Sequence, residues 1–259
     1  MSLRRRTYFV ALLFSVHFLG SATKVEAEPV EKSNRIVGGV KSFIRNVPYL
    51  MQVWSNGYFI CGGSLVSPKF VVSAAHCAVN TRPRQLTIVG GASNLNEPGV
   101  IRKVRKIIRP KKFSLNTMNR DVVVFKLAKP MKGPKIKPIP LNTEPIRVGM
   151  KMKVSGWGLK RENGKSVATH VRRVVVPVIA KATCEAQYQD VLPLSNTMFC
   201  ASQPGKKDSC SGDSGGPAVC NGKLCGIVSF GVGCARPNYP GVYTGIRAVR
   251  SFIRRAMKQ

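Results

Sequence analysis

The stretch Gly212-Asp213-Ser214-Gly215-Gly216-Pro217 decides between two folds. A serine flanked by glycines has bare backbone N–H groups beside it. Such donors hold the negative oxygen that forms when a hydroxyl attacks a carbonyl. The same stretch fits the Gly-x-Ser-x-Gly elbow of α/β-hydrolases, and chain order separates the two readings. That fold needs its acid and its histidine after the serine. The chain has three histidines, His17, His76 and His170, and all precede Ser214. The α/β reading fails.

The sequence around this stretch points the same way. Short apolar runs recur at Tyr49–Val53, Ser64–Val66, Phe70–Ser73, Gln85–Val89, Asp121–Leu127, Lys151–Ser155, Arg172–Val178, Lys223–Phe230 and Gly241–Thr244. Gly, Pro and Asn punctuate them, which predicts an all-β chain of many strands rather than βαβ units. One helix is clear, about Ala248–Met257. Val249, Phe252, Ile253 and Met257 repeat at helical spacing, with Arg250, Arg254 and Arg255 between them. The expectation is that its apolar face docks on the protein; the sharper alternative is a helix lying on a membrane surface. Five prolines, Pro130, Pro134, Pro138, Pro140 and Pro145, separate two strand-rich halves with a boundary near residue 145.

A serine nucleophile needs a base, and the base needs an orienting acid. His76 lies in Ser73-Ala74-Ala75-His76-Cys77, where small residues leave room for the ring and a disulfide at Cys77 could hold it. His170 has no neighbouring cysteine and reads as an ordinary strand or surface residue. Asp121 opens the apolar run Val122-Val123-Val124-Phe125. A carboxylate beside a buried strand needs a charged or hydrogen-bonded partner.

The N-terminus reads as a secretory signal peptide. Arg4-Arg5-Arg6 precedes a short apolar run to Leu19 and the small residues Gly20-Ser21-Ala22, with cleavage expected near Ala22. The run is too short to span a bilayer, and no later segment is long and apolar enough to do so. Eight cysteines in an exported chain imply disulfides, and the absence of Cys-x-x-Cys argues against zinc. The formal charge is +31. Residues 1–35 hold six of the 42 basic and three of the 11 acidic residues, which leaves 36 and 8, a net +28 for the remainder. Such a surface attracts polyanions, acidic glycans among them.

Taken together, the segments from residue 36 to 259 resemble the trypsin/chymotrypsin family of serine endopeptidases, trypsin-like subgroup. Ile36-Val37-Gly38-Gly39, the His76 and Asp121 segments, Ser155-Gly156-Trp157-Gly158 and the Ser214 segment stand in the family's order. The resemblance implies two packed antiparallel six-stranded β-barrels, about 36–145 and 146–259, with a C-terminal α-helix. It implies a catalytic triad of His76, Asp121 and Ser214 and an oxyanion hole from the N–H groups of Gly212 and Ser214. It implies a propeptide, 23–35, cut at Arg35–Ile36, after which the Ile36 ammonium pairs with Asp213. It puts Asp208 at the base of the specificity pocket, with Gly231 and Gly241 in its wall, hence cleavage after Arg or Lys. It also implies Cys61–Cys77, Cys184–Cys200 and Cys210–Cys234. Cys220 and Cys225 remain, and Asn221-Gly222 between them is a hairpin signal, so a local bridge is expected.

No cofactor is expected. The Gly90–Gly99 loop aligns with a calcium loop of some members but carries one carboxylate, Glu97, so no calcium or other metal site is expected. Phe230 replaces the family's usual Trp, which leaves subsite preference open. The partners implied are protein substrates with Arg or Lys at the cleaved bond, and protein inhibitors, in a secreted monomer. The rival reading is a basic homologue that kept the fold as a polyanion-binding or regulatory protein and lost useful activity; the presence of all three triad residues argues against it.

Overall fold

The computed structural model describes residues 39–159 and 161–259. The expected signal peptide with His17, the expected propeptide and the Arg35–Ile36 bond lie outside the described residues. Six antiparallel strands form a closed barrel: β2 (Leu50–Ser55), β3 (Tyr58–Ser67), β4 (Phe70–Ser73), β5 (Leu86–Gly90), β6 (Val100–Ile108) and β7 (Val123–Leu127). Their order is β2-β3-β4-β7-β6-β5, and β5 pairs back to β2. Closure leaves no strand edge open to another chain.

The second half supplies β8 (Lys151–Gly156), β9 (Arg172–Pro177), β10 (Met198–Cys200), β11 (Pro217–Cys220), β12 (Lys223–Phe230) and β13 (Val242–Gly245). They run β9-β8-β11-β12-β13-β10, with the short β1 (Val40–Lys41) outside β9. The six strands from β9 to β10 come together as the expected second barrel: Val178, just after β9, bridges Ala201, just after β10, and the Ile179 N–H donates to the Cys200 carbonyl at 2.9 Å. Segment 128–150, where the prolines cluster, contributes no strand, only the bridge Leu141 to Leu224.

The two halves exchange their ends. β1 pairs with the second sheet, while the terminal helix α2 (Ile246–Ala256) buries Ile246, Val249, Ile253 and Ala256 in the core of the first barrel. That burial removes the membrane-surface alternative, since the apolar face is already covered. A second helix, α1 (Lys181–Tyr188), has only Cys184 and Tyr188 on its buried face. Two apolar contacts in eight residues make a weak stripe, and the helix is held by Cys184–Cys200. β6 hid for another reason: a bulge between Val104 and Lys106 breaks its alternation, and its exposed positions mix Ile101 with Lys103, Arg105 and Lys106.

The structure contains four disulfides: Cys61–Cys77, Cys184–Cys200, Cys210–Cys234 and Cys220–Cys225. The last spans the β11–β12 hairpin, where Asn221 and Gly222 both take positive φ. Loop-closure entropy grows with the chain enclosed. Replacing Cys220 and Cys225 by Ser is expected to cost about 2 kcal/mol, against about 3 kcal/mol for Cys61 and Cys77. Urea unfolding of the two double variants should show that order.

Candidate active site

His76 sits on the turn Ala75–Ala78 that follows β4, and Cys77 ties that turn to β3. Ala74 and Ala75 are fully buried beside it, where larger side chains would displace the ring. Asp121 stands just before β7, also with no exposure. Its carboxylate accepts the His76 backbone N–H on Oδ1 at 2.9 Å and contacts His76 Nδ1 through Oδ2 at 2.8 Å. From the other half, the Ser229 hydroxyl donates to Oδ2 at 2.6 Å and the Thr244 hydroxyl donates to the Asp121 carbonyl at 3.0 Å. An acceptor on Nδ1 keeps a proton there and leaves Nε2 as the basic nitrogen.

Ser214 lies on a loop pressed against the first barrel. Its carbonyl accepts the Gly62 N–H at 2.8 Å. Gly215 has φ +76, and a Cβ there would come within 2.6 Å of the Gly62 carbonyl oxygen. Gly212 has φ +94. Among the described residues, neither the Gly212 nor the Ser214 N–H finds an acceptor, as a site for a developing oxyanion requires.

Asp213 is fully buried behind this loop. Burial pushes its carboxyl up to about 6, while the N–H groups of Cys210 (3.0 Å) and Gly158 (2.8 Å) pull it down. A side chain at Gly156 or Gly158 would land on this carboxylate, which explains the glycines that flank the fully buried Trp157.

One cavity of about 330 Å³ brings His76 and Ser214 together with Asp208, Gly231 and Gly241. Asp208 is 2% exposed. Desolvation drives its carboxyl up to about 7, against the pull of N–H donors from Ala235 (3.2 Å) and Ser209 (2.8 Å) and with a further push from Asp213. A Cβ at Gly241 would lie 2.5 Å from Asp208 Oδ1, so only glycine leaves the carboxylate reachable. His170 is elsewhere, edge-on to Phe43.

Residues 36–253 match the family model described as Trypsin. The chain belongs to the trypsin family of serine proteases. Among similar trypsin-family proteins, "Seminase" of Drosophila melanogaster is 39% identical over 93% of this chain and 88% of its own length. "Vitellin-degrading protease" of Bombyx mori is 38% identical over 94% and 93%. "Serine protease 1" of Rattus norvegicus is 39% identical over 85% and 89%.

Two metal questions are answered by chemistry. Cys61, His76 and Cys77 cluster at ligand spacing, but both sulfurs are consumed in one disulfide and offer no thiolate. In the loop that aligns with a calcium site of some trypsin-family members, Glu97 accepts the N–H groups of Ser93 and Asn94 at 2.7 and 3.1 Å, and Lys135 lies 3.6 Å away. Those contacts hold its carboxyl below the usual range and put a cation where a metal would compete.

Three supports carry no local signal in the sequence. Ser229, inside the apolar run Lys223–Phe230, joins the acid across the two halves. Tyr188, on the unexpected α1, donates to the Pro240 carbonyl at 2.8 Å and meets Phe230 and Tyr239 edge-on, backing the pocket wall. Glu162 pairs with Arg236 through two nitrogens and approaches the Cys234 N–H at 3.5 Å. Arg236 adjoins Ala235, which donates to Asp208, so the pair fastens the pocket segment. No local motif marks a contact between residues this far apart in the chain. Glu162→Gln is expected to raise KM several-fold for peptide substrates that fill this pocket, with kcat nearly unchanged; Glu162→Asp should recover part of the loss. Steady-state kinetics on peptide substrates reads the split.

Proposed function

We infer that this protein is a secreted endopeptidase, made as a zymogen and activated by cleavage at Arg35–Ile36, that hydrolyses peptide bonds after Arg or Lys. The observation that carries this reading is the single cavity lined by Ser214, His76 and the buried Asp208. Ser214 Oγ attacks the substrate carbonyl while His76 Nε2 takes its proton. Asp121 keeps the imidazole in that tautomer and stabilises its cation. The N–H groups of Gly212 and Ser214 receive the oxyanion. The leaving amine takes the proton from His76, and water repeats the sequence on the acyl-enzyme.

Specificity follows from the cost of isolating a carboxylate. Asp208 is disfavoured as an anion in the empty pocket, and a guanidinium or ammonium supplies the missing countercharge in low dielectric. Activation follows from the same logic at Asp213: a new Ile36 ammonium would pair with an otherwise costly buried anion and set the Gly212–Ser214 loop. Export would suit both the disulfides and a polyanion-rich extracellular setting for the basic surface.

Chain cleaved at Arg35 should turn over Arg- and Lys-ended peptides and spare Phe- and Ala-ended ones, and Ser214→Ala should abolish turnover. Arg35→Gln should remain an inactive full-length protein. Failure of the cleaved chain to hydrolyse any of the four would favour the binding-protein reading.

The pH dependence isolates Asp208. Its folded pKa is raised, so the ionised form is scarce below about 7. The ratio of kcat/KM for an Arg peptide to that for its neutral citrulline counterpart should rise with pH up to about 7 and then level, because the chemical steps are common to both peptides and cancel. For stability the sign is opposite to that of an ion-paired carboxylate. The folded state holds more protons than the unfolded one between the unfolded carboxyl pKa and about 7, so stability is lost as pH rises through that window. Asp208→Asn should flatten that decline in thermal unfolding.

A further inference from the structure

Helix α2 carries Arg247, Arg250, Arg254 and Arg255 and no acidic residue, and its apolar side is buried in the first barrel. A cavity of about 530 Å³ lies between it and the segment from Arg109 to Arg120. Arg109, Lys111, Lys112, Arg120 and Arg255 line it with no carboxylate side chain, and the backbone oxygen of Gln259, which also lines it, accepts from the Lys126 ammonium at 2.6 Å. On the other side of the helix lies a hollow of about 490 Å³ bordered by Lys181, Arg247 and Arg250, again with no carboxylate side chain in its lining. Ala248 lines both hollows. The divide between them is thus a helix face with a methyl group, and the two read as one trough that crosses α2.

Most of the acidic side chains are committed elsewhere. Of the eight beyond residue 35, Asp121, Asp208 and Asp213 are buried in or behind the catalytic cleft. Glu97 and Glu162 pair with Lys135 and Arg236, and only Glu185, on Lys181, reaches a trough cation. Eight cations lining one depression give a strongly positive local field that screening weakens but does not remove at physiological salt.

We propose that an extended sulfated polysaccharide binds across helix α2, in the trough that runs from Lys111 and Lys112 past Arg120, Arg255 and Arg250 to Lys181. Single-stranded nucleic acid would need exposed aromatic faces for its bases. The aromatic residues lining the trough are committed elsewhere: Phe252 packs on the first barrel's core and Phe199 stacks on Tyr243. A membrane surface would need apolar side chains to insert, and of the exposed large hydrophobics among the described residues only Val148 borders the trough. A flexible sulfated chain needs neither. Leu115 lines both the catalytic cleft and a shallow hollow shared with Arg109, Pro110 and Lys111. One short segment therefore borders both cleft and trough.

This inference goes beyond the peptidase reading, and its test does not use activity. Full-length Ser214→Ala protein is titrated with a size-defined heparin oligosaccharide at several salt concentrations. Two variants are added to that background: Lys111→Gln, Lys112→Gln, Arg120→Gln and Arg255→Gln in the trough, and Arg84→Gln, Lys69→Gln, Lys132→Gln and Lys137→Gln as a charge-matched control. All eight positions are exposed, and thermal unfolding verifies the fold of both. The trough variant should bind at least about tenfold more weakly with a shallower dependence on salt, and the control less than about threefold more weakly. Equal losses, or a loss in neither, would overturn the site. Tighter binding of a charge-matched DNA strand or of phosphatidylserine vesicles, lost in the same trough variant, would overturn the glycan as its occupant.

Discussion

The contact between Asp121 and His76 is the constraint on which the rest of this structure turns. A carboxylate with no exposure to water is tolerable only when nearly all its lone pairs are used. Here the donors come from both halves of the chain: the ring and backbone of His76 from the first barrel, the Ser229 hydroxyl from the second sheet. The same residue that orients the imidazole also staples the halves. The ring cannot be aligned without the halves being in register, nor the halves brought together without satisfying the acid.

Two further buried carboxylates follow a different rule. Asp208 and Asp213 receive backbone N–H bonds but remain costly as anions, with their carboxyls pushed up to about 7 and about 6. Each is a buried anion that a cation would relieve, which is the basis of the specificity and activation proposed for them. Glycine makes the geometry possible. Gly156, Gly158 and Gly241 each leave a space that a single methyl would fill with a clash against carboxylate oxygen. The glycines of the Ser155–Gly158 and Gly241 segments are thus electrostatic features as much as conformational ones.

The legible part of this site was carried by short, local strings. The His76, Asp121 and Ser214 segments and the Asn221-Gly222 hairpin are each decided by residues a few positions apart. The all-β class was legible because most strands alternate cleanly. What escaped depends on contacts distant in sequence. α1 lacks a convincing apolar stripe and is fastened by a disulfide; β6 loses its alternation at a bulge; Glu162 and Arg236 meet only after two loops have folded over the pocket. The closure of the second barrel also rests on a contact distant in sequence, the bridge between Val178 and Ala201.

The exchange of ends between the halves bears on when this molecule becomes complete during its synthesis. The first barrel holds His76 and Asp121, yet its core is finished by Val249, Ile253 and Ala256 of the last helix. A ribosome-bound chain that has made all six strands of that barrel still exposes an apolar floor. Ser214 likewise emerges long after His76 and Asp121. Assembly of the cleft is thereby tied to the final turns of the polypeptide, and a truncated product would lack part of the core as well as the helix.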